Sequence, residues 1–199
     1  MTSGSPRQSA ILRQTKETDI SLQLKIDGAG KADIRTGVPF MDHMLTLFTV
    51  HGFFDLSINA KGDTEVDDHH TVEDLGICLG QAFKEALADS HGIKRYGDAA
   101  IPMDEALVRV CLDISNRPFL QYQVKIKDTK TGTFDTALAK EFFRAFVHHA
   151  GITLHIDMIR GENAHHIIEA IFKGLGKALD LATTADKRIK GALSSKGSI

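Results

Sequence analysis

The sequence predicts an α+β fold that is internally duplicated: two similar halves, each a small sheet with helices packed on one face. Three observations predict it. A His-His-x-x-Glu motif stands at residues 69–73 and again at 165–169. The neighbours of the two copies match in order along the chain. Within each half, segments of alternating apolar and polar residues adjoin segments with helical spacing.

The match covers three successive segments. Past the first motif runs Asp-Leu-Gly-Ile-Cys-Leu-Gly-Gln-Ala, and past the second Ala-Ile-Phe-Lys-Gly-Leu-Gly-Lys-Ala, so the Leu-Gly and the Ala coincide. Upstream, the segment from Phe40 to Phe48 aligns with that from Leu138 to Phe146, and Phe54 to Ile58 aligns with Ile152 to Ile156. The offset is 98 residues in those two segments (40 to 138, 54 to 152) and 96 at the motif (69 to 165). A two-residue gap therefore reconciles them. The 199 residues read as one domain of two repeats, about 10–92 and 93–184, with a tail at 185–199.

The elements follow in order. Residues 20–26 (ISLQLKI) alternate and predict a half-buried strand. Residues 42–50 have helical spacing, and His51-Gly52 closes them as a C-cap would. A strand at 53–60 and a long amphipathic helix at 70–89 complete the first half. The second half repeats this with strands near 106–114 and 119–127, a helix at 135–149, a strand at 152–160 and a helix at 164–182. Glycine-containing turns at 61–63, 130–132 and 161 separate the elements. The tail from about 185 is rich in Lys, Ser and Gly, a composition that alone reads as disordered.

Composition narrows the function classes. The formal net charge is −2, so no global basic field points to nucleic acid. A phosphate-bearing ligand needs a local basic cluster instead. No apolar run reaches the roughly 20 residues of a membrane span. The N-terminal stretch is polar and lacks the apolar core of a secretory signal. Cys78 and Cys111 read as reduced thiols in apolar surroundings. These features together predict a cytoplasmic protein.

The motif predicts a metal site. In a helix, His69 and Glu73 share a face, so both can reach one ion; His70 points about 100° away and must serve something else. The same holds for His165, Glu169 and His166. The reciprocal solution is that each copy gives a His/Glu pair to one ion and its adjacent His to a second, within one chain or between subunits. The repeat adds His43 and, at its aligned position, Glu141. Imidazoles and carboxylates without thiolate favour Mn²⁺, Fe²⁺ or Zn²⁺. Four protein ligands on an octahedral ion leave positions for substrate or water, hence catalysis. Of the remaining histidines, His148 and His149 read as a surface pair at a helix end and His91 as a helix terminus. His155 reads as a core residue or a support for a ligand. His51 stands between a site-lining role and a plain helix end.

Six separated motifs carry a family resemblance. They are Asp42-His43-Met-Leu, Asp68-His69-His70-Thr-Val-Glu73-Asp, Ser115-Asn116-Arg117-Pro118, Thr153-Leu-His155, Gly161-Glu-Asn-Ala-His165-His166-Ile-Ile-Glu169-Ala and Ser194-Ser195-Lys196-Gly. From about residue 10 onward the chain resembles imidazoleglycerol-phosphate dehydratase. The resemblance implies removal of water from D-erythro-imidazole glycerol phosphate to give imidazole acetol phosphate in histidine biosynthesis. It also implies a duplicated fold like ribosomal protein S5 domain 2, two Mn²⁺ ions per active site, and a 24-subunit homo-oligomer with metal sites between subunits. The implied metal ligands are His43, His69, His70, Glu73, Glu141, His165, His166 and Glu169. Glu141 stands where many family members have His. Phosphate would be held by Arg95, Arg117, Lys173, Ser195 and Lys196, with Ser194 and His51 also at the substrate. Arg117 is set between Asn116 and Pro118, in a turn that fixes its direction. Glu17, Glu73 and Glu169 are the carboxylates implied for proton transfer. A phosphatase domain, present in bifunctional members, is not expected.

The implied chemistry is demanding, because the proton leaves a carbon with no carbonyl beside it. An ion on a ring nitrogen can turn the imidazole into an electron sink, while a carboxylate moves the proton. Two rival readings use the same motif. A di-metal hydrolase of a small phosphate ester would release inorganic phosphate. A non-catalytic metal-assembly protein would leave Arg95, Arg117, Lys173 and the Ser-Ser-Lys tail without a job.

Overall fold

The computed structural model describes residues 7–195. The first half contains β1 (Gln8–Gln14), β2 (Thr18–Lys25), β3 (Ala32–Arg35), α1 (Pro39–Gly52), β4 (Asp55–Gly62) and α2 (His69–Leu87). The second contains β5 (Tyr96–Met103), β6 (Ala106–Ile114), β7 (Phe119–Gln123), the short β8 (Lys130–Thr131) and β9 (Phe134–Asp135), α3 (Leu138–Ala150), β10 (Ile152–Arg160) and α4 (Ala164–Thr183). The two sheets have the same order, β1-β2-β4-β3 and β5-β6-β10-β7. In each, the third strand runs parallel to the last one, β3 with β4 and β7 with β10. The duplicated α+β fold read from the sequence is the fold of the chain.

Strand periodicity explains the layering. Along β2, Ile20, Leu22 and Leu24 are buried while Asp19, Ser21, Gln23 and Lys25 face out. Along β6, Val108, Val110 and Leu112 point to the helices, and Cys111 lies half-buried on the opposite face. Each sheet therefore has one face for helices. The helices pair across the halves: α1 packs on α4 and α2 on α3. One continuous apolar core results. Phe83 makes edge contacts with Phe48 of the first half and Phe146 of the second, at 6.0 and 5.8 Å. Each of these buried phenylalanines contributes roughly 1.5–3 kcal/mol by leaving water. Cys78 is buried there, and burial pushes its thiol up to about 11, which makes it unreactive.

The repeated Leu-Gly has a packing reason. A Cβ on Gly80 would come within 2.6 Å of the Phe146 carbonyl oxygen, and one on Gly176 within 2.5 Å of that of Phe48. Phe48 and Phe146 are themselves counterparts at the 98-residue offset. Each glycine thus lets its helix approach the partner helix of the other half.

Several expectations are corrected. Strands β1, β3 and β5 were not legible as strands. They lie at sheet edges, and β1 buries only Ile11, so they carry almost no apolar period. The cap of α1 is not Gly52 but Phe53, in the left-handed region at φ 56°. Gly52 is the last helical residue, and the position takes glycine because a Cβ there would strike the Phe54 ring at 2.3 Å. Strand β7 stops at Gln123 and α3 starts only at Leu138; the segment between them has no counterpart in the first half. The tail is not loose up to Ser195: Gly92 donates to the Gly191 carbonyl, and Asp186 to that of Gly92. His155 is not in the core. It is exposed on the outer face of its sheet, against Phe119 at 5.8 Å. No described helix is long and apolar enough to cross a membrane.

Candidate metal centre and substrate cleft

Both motifs open a helix, as their spacing requires. At α4 the Asn163 side chain caps the helix, accepting from the backbone N–H of His165 at 2.9 Å and of His166 at 3.4 Å. This fixes the start of the helix from which both imidazoles project. His165 Nε2 lies 3.2 Å from Glu169 Oε2, one turn along. The cross-half packing of α1 on α4 brings in His43, whose Nε2 is 3.4 Å from the same oxygen. His43, His165 and Glu169 offer three ligand atoms within 4.8 Å of one another.

The Glu169 carboxylate is buried in this cluster, with 8% of its side chain exposed. Lys173 Nζ lies 2.6 Å from its other oxygen. Burial pushes the Glu169 carboxyl up, but the Lys173 ammonium and the His43 ring outweigh it and hold it below the usual range. Glu169 is therefore ionised at neutral pH. Phe40 packs edge-on against His165 at 5.3 Å and stacks on buried Phe134 at 4.7 Å. Two imidazoles and a carboxylate, with no thiolate, fit a borderline or hard divalent cation.

The first-half motif is arranged differently. His69 Nε2 and Glu73 Oε2 are 3.5 Å apart and both half-exposed. Glu141, the counterpart of His43, does not join them in a comparable cluster among the described residues. It is drawn 2.5 Å to Arg144 along its own helix. Its Oε2 is nonetheless buried without a well-directed hydrogen bond, and it opens on a cleft of about 530 Å³ beneath the β7–α3 segment.

The second histidine of each motif points away, as predicted, and each meets carboxylates. His70 Nδ1 lies 3.0 and 3.2 Å from the two oxygens of Asp63, with Glu17 Oε2 at 3.9 Å. His166 Nδ1 lies 2.7 Å from Glu105 Oε2, and its Nε2 is 3.8 Å from Asp104. The Asp63 hydrogen bond raises the His70 ring above its ordinary value, and the Glu105 hydrogen bond does the same for His166. Asp63, Asp104 and Glu105 were missed in the sequence. Glu105 had a usable signal: the strands repeat at an offset of 88 residues (Gln8 to Tyr96, Thr18 to Ala106), and Glu17 falls on Glu105.

A separate basic cleft of about 950 Å³ is lined by Arg95, Arg117, Ser194 and Ser195, with Lys190 and Arg188 beside them. Asp113 sets up its base. It accepts from Arg95 Nε at 2.6 Å and Nη2 at 3.0 Å, and lies 3.4 Å from Arg117 Nη2. Arg95 is buried and also donates to the Leu193 carbonyl at 2.6 Å, which fastens the tail over the cleft. Arg117 is 69% exposed, so its guanidinium, unlike that of buried Arg95, is open to the cleft. Lys173 is not in this cleft within one chain but at Glu169. His51 is half-buried near the end of α1; burial lowers its pKa, with Lys173 and Lys177 adding to the effect. Lys196 lies outside the described residues.

The fold and this site define an internally duplicated α+β protein with a carboxylate–imidazole cluster between its halves that could hold a cation, and a basic cleft apart from it. A family model described as imidazoleglycerol-phosphate dehydratase matches residues 36–179. The chain is 61% identical over 191 residues to the imidazoleglycerol-phosphate dehydratase of Desulfotalea psychrophila, covering 96% of each. It is 59% identical to that of Bacillus subtilis over 191 residues, 96% of this chain and 98% of the relative. The crystal structure of imidazoleglycerol-phosphate dehydratase from Staphylococcus aureus superposes with a TM-score of 0.82 at 46% identity, over 90% of this chain and 99% of that one. The Pyrococcus furiosus structure gives a TM-score of 0.82 at 42% identity, over 95% and 100%. The chain belongs to the imidazoleglycerol-phosphate dehydratase family.

Proposed function

We propose that this chain is a hydro-lyase that removes water from D-erythro-imidazole glycerol phosphate, giving imidazole acetol phosphate in histidine biosynthesis. The observation that carries the reading is the cluster of His43, His165 and Glu169, assembled from both halves and suited to a divalent cation. Two Mn²⁺ ions per active site are the assignment we favour. His43, His165 and Glu169 would hold one, and His69, Glu73 and Glu141 the other. The outward Nε2 atoms of His70 and His166 would complete the two sets across subunit contacts of a 24-subunit assembly. Such ions supply Lewis acidity toward the imidazole ring and the departing hydroxyl.

The protein's own groups do the rest. Glu17 stands exposed beside His70 and is placed to exchange a proton with a substrate carbon. Glu73 and Glu169 are the other carboxylates assigned to proton transfer. Lys173 keeps Glu169 ionised. Arg117 grips the phosphate in a fork, with Arg95, Ser194, Ser195 and Lys196 around it. His51 and Lys173 contact the substrate in the assembled site. A cytoplasmic location suits a biosynthetic enzyme without a membrane-crossing helix among the described residues.

The test is a dehydration assay on chelator-stripped protein with imidazole glycerol phosphate, with and without Mn²⁺, following the ketone and the particle mass together. Turnover and a large particle should both return with Mn²⁺, because ions shared between subunits stabilise the assembly. Ketone formation without any added ion would remove the metal from the reading. Release of inorganic phosphate would replace the dehydratase by a phosphate-ester hydrolase.

A further inference from the structure

Glu17 and Glu105 are the same residue of the repeat, each immediately before the second strand of its half. Their surroundings have diverged. Glu105 is committed: Oε2 accepts from His166 Nδ1 at 2.7 Å, and Oε1 accepts from the backbone N–H of Asn163 at 2.8 Å and of Glu162 at 3.2 Å. Glu17 is 55% exposed and stands 3.9 Å from His70 Nδ1, beyond hydrogen-bond length. Asp63 occupies that nitrogen instead, with both of its oxygens. Asp63 comes from the β4–α2 loop, residues 63–68, which is longer than the β10–α4 loop, residues 161–163. At the 98-residue offset its counterpart is Gly161, and at the 96-residue offset Ile159. The second half has no carboxylate there.

We propose that Glu105 and Asp63 are positioning residues for His166 and His70, and that Asp63, by taking over this task, leaves Glu17 free for the substrate. The chemistry is simple. An ionised carboxylate only accepts hydrogen bonds, so the facing Nδ1 must carry the proton, and Nε2 keeps the lone pair that can ligate a cation. Glu105 does this while also fastening the loop that leads into α4. Asp63 does it alone. The assignment rests on the ligand set proposed above, yet it can fail separately.

Glu105→Gln separates positioning from loop fastening. The amide oxygen can keep the Glu162 and Asn163 N–H groups, but the amide nitrogen then faces Nδ1 and donates to it. That forces the His166 proton onto Nε2. Mn²⁺ titration of the metal-stripped full chain should show one class of site weakened about 10–100-fold, with thermal unfolding close to the parent's. An isotherm that superposes on the parent's would overturn the role of Glu105, while a parent chain that binds no Mn²⁺ would overturn the ligand set itself. Should Glu105→Gln fail to fold, ring ¹⁵N shifts of the metal-stripped parent at high pH decide: Nδ1–H on His166 supports the assignment, Nε2–H refutes it. For the Glu17 half of the proposal, Asp63→Ala should lower kcat about 10–100-fold. Its Mn²⁺ isotherm should stay close to the parent's, because Glu17 then takes His70 Nδ1; adding Glu17→Gln leaves that nitrogen without a carboxylate and should weaken one class of Mn²⁺ site about 10–100-fold. Parental kcat in Asp63→Ala would refute that half.

Discussion

The two copies of His-His-x-x-Glu share a sequence and a place in the fold, yet not a state. In the second half Glu169 is buried, bridged by Lys173, and joined by His43 from the other half. In the first half Glu73 is open, the position of Lys173 is Ile77, and the position of His43 is a glutamate turned toward Arg144. The difference teaches that duplication preserved the helix packing, which both copies need equally. The polar partners of the two copies differ, because no packing contact shared by the halves depends on them. One copy forms a compact cluster with a residue of the other half; the other keeps its donors apart.

The largest expected effect breaks this comparison at the carboxylates. Glu169→Gln should cut turnover about 100- to 10,000-fold, the range of a lost acid–base group, with circular dichroism unchanged. Glu73→Gln, read in the same steady-state assay, sharpens it: a smaller loss assigns the proton chemistry to the buried copy, an equal loss makes the two copies equivalent. The next effect tests what the halves share. Gly80→Ala and Gly176→Ala each place a methyl against a helix carbonyl and should each cost about 1–3 kcal/mol by overpacking. Denaturant unfolding measures both; markedly unequal costs would show that the packing, too, has drifted.

The smallest effect concerns pH in the metal-free chain. His70 and His166 have folded pKa values raised above the ordinary 6.5, so their contribution is full below that value and lost as pH rises through the folded values. Glu105 is lowered to about 2 by its His166 and backbone hydrogen bonds. Its contribution is present above the ordinary 4.5 and lost as pH falls toward 2. The melting temperature should therefore decline on both sides of a mildly acidic maximum. Glu105→Gln should flatten the acid side. An acid limb identical to the parent's would show that the Glu105 contacts do not persist in solution.

What was legible in the sequence follows from what each element buries. β2, β6 and β10 alternate because one face meets helices and the other does not, and their bounds were read within a few residues. β1, β3 and β5 are held by backbone pairing at sheet edges and leave no such trace. That each His-His-x-x-Glu motif opens a helix and sets its first His over its Glu was legible, because the spacing is helical geometry and occurs twice. That His43 reaches α4, rather than the motif of its own half, was not legible, since it depends on how the helices cross. Glu105 was hidden by the β7–α3 segment. It shifts the repeat offset from 88 to 98 residues, so an alignment anchored on the later motifs never laid Glu17 over it. Asp63 has no carboxylate counterpart in the second half and could emerge only from coordinates.

The crossed pairing of helices also sets a schedule for synthesis. When α2 has left the ribosome, the partners that cover α1 and α2 do not yet exist. α3 comes next, and α4 closes only at Thr183, 96 residues after Leu87. At about 5–20 residues per second that is a delay of roughly 5–20 s. During it, a nascent first half can complete its sheet but must leave the apolar side of its helices uncovered. This makes the interval after residue 87 the point in the life of the chain at which chaperones have the most to hold.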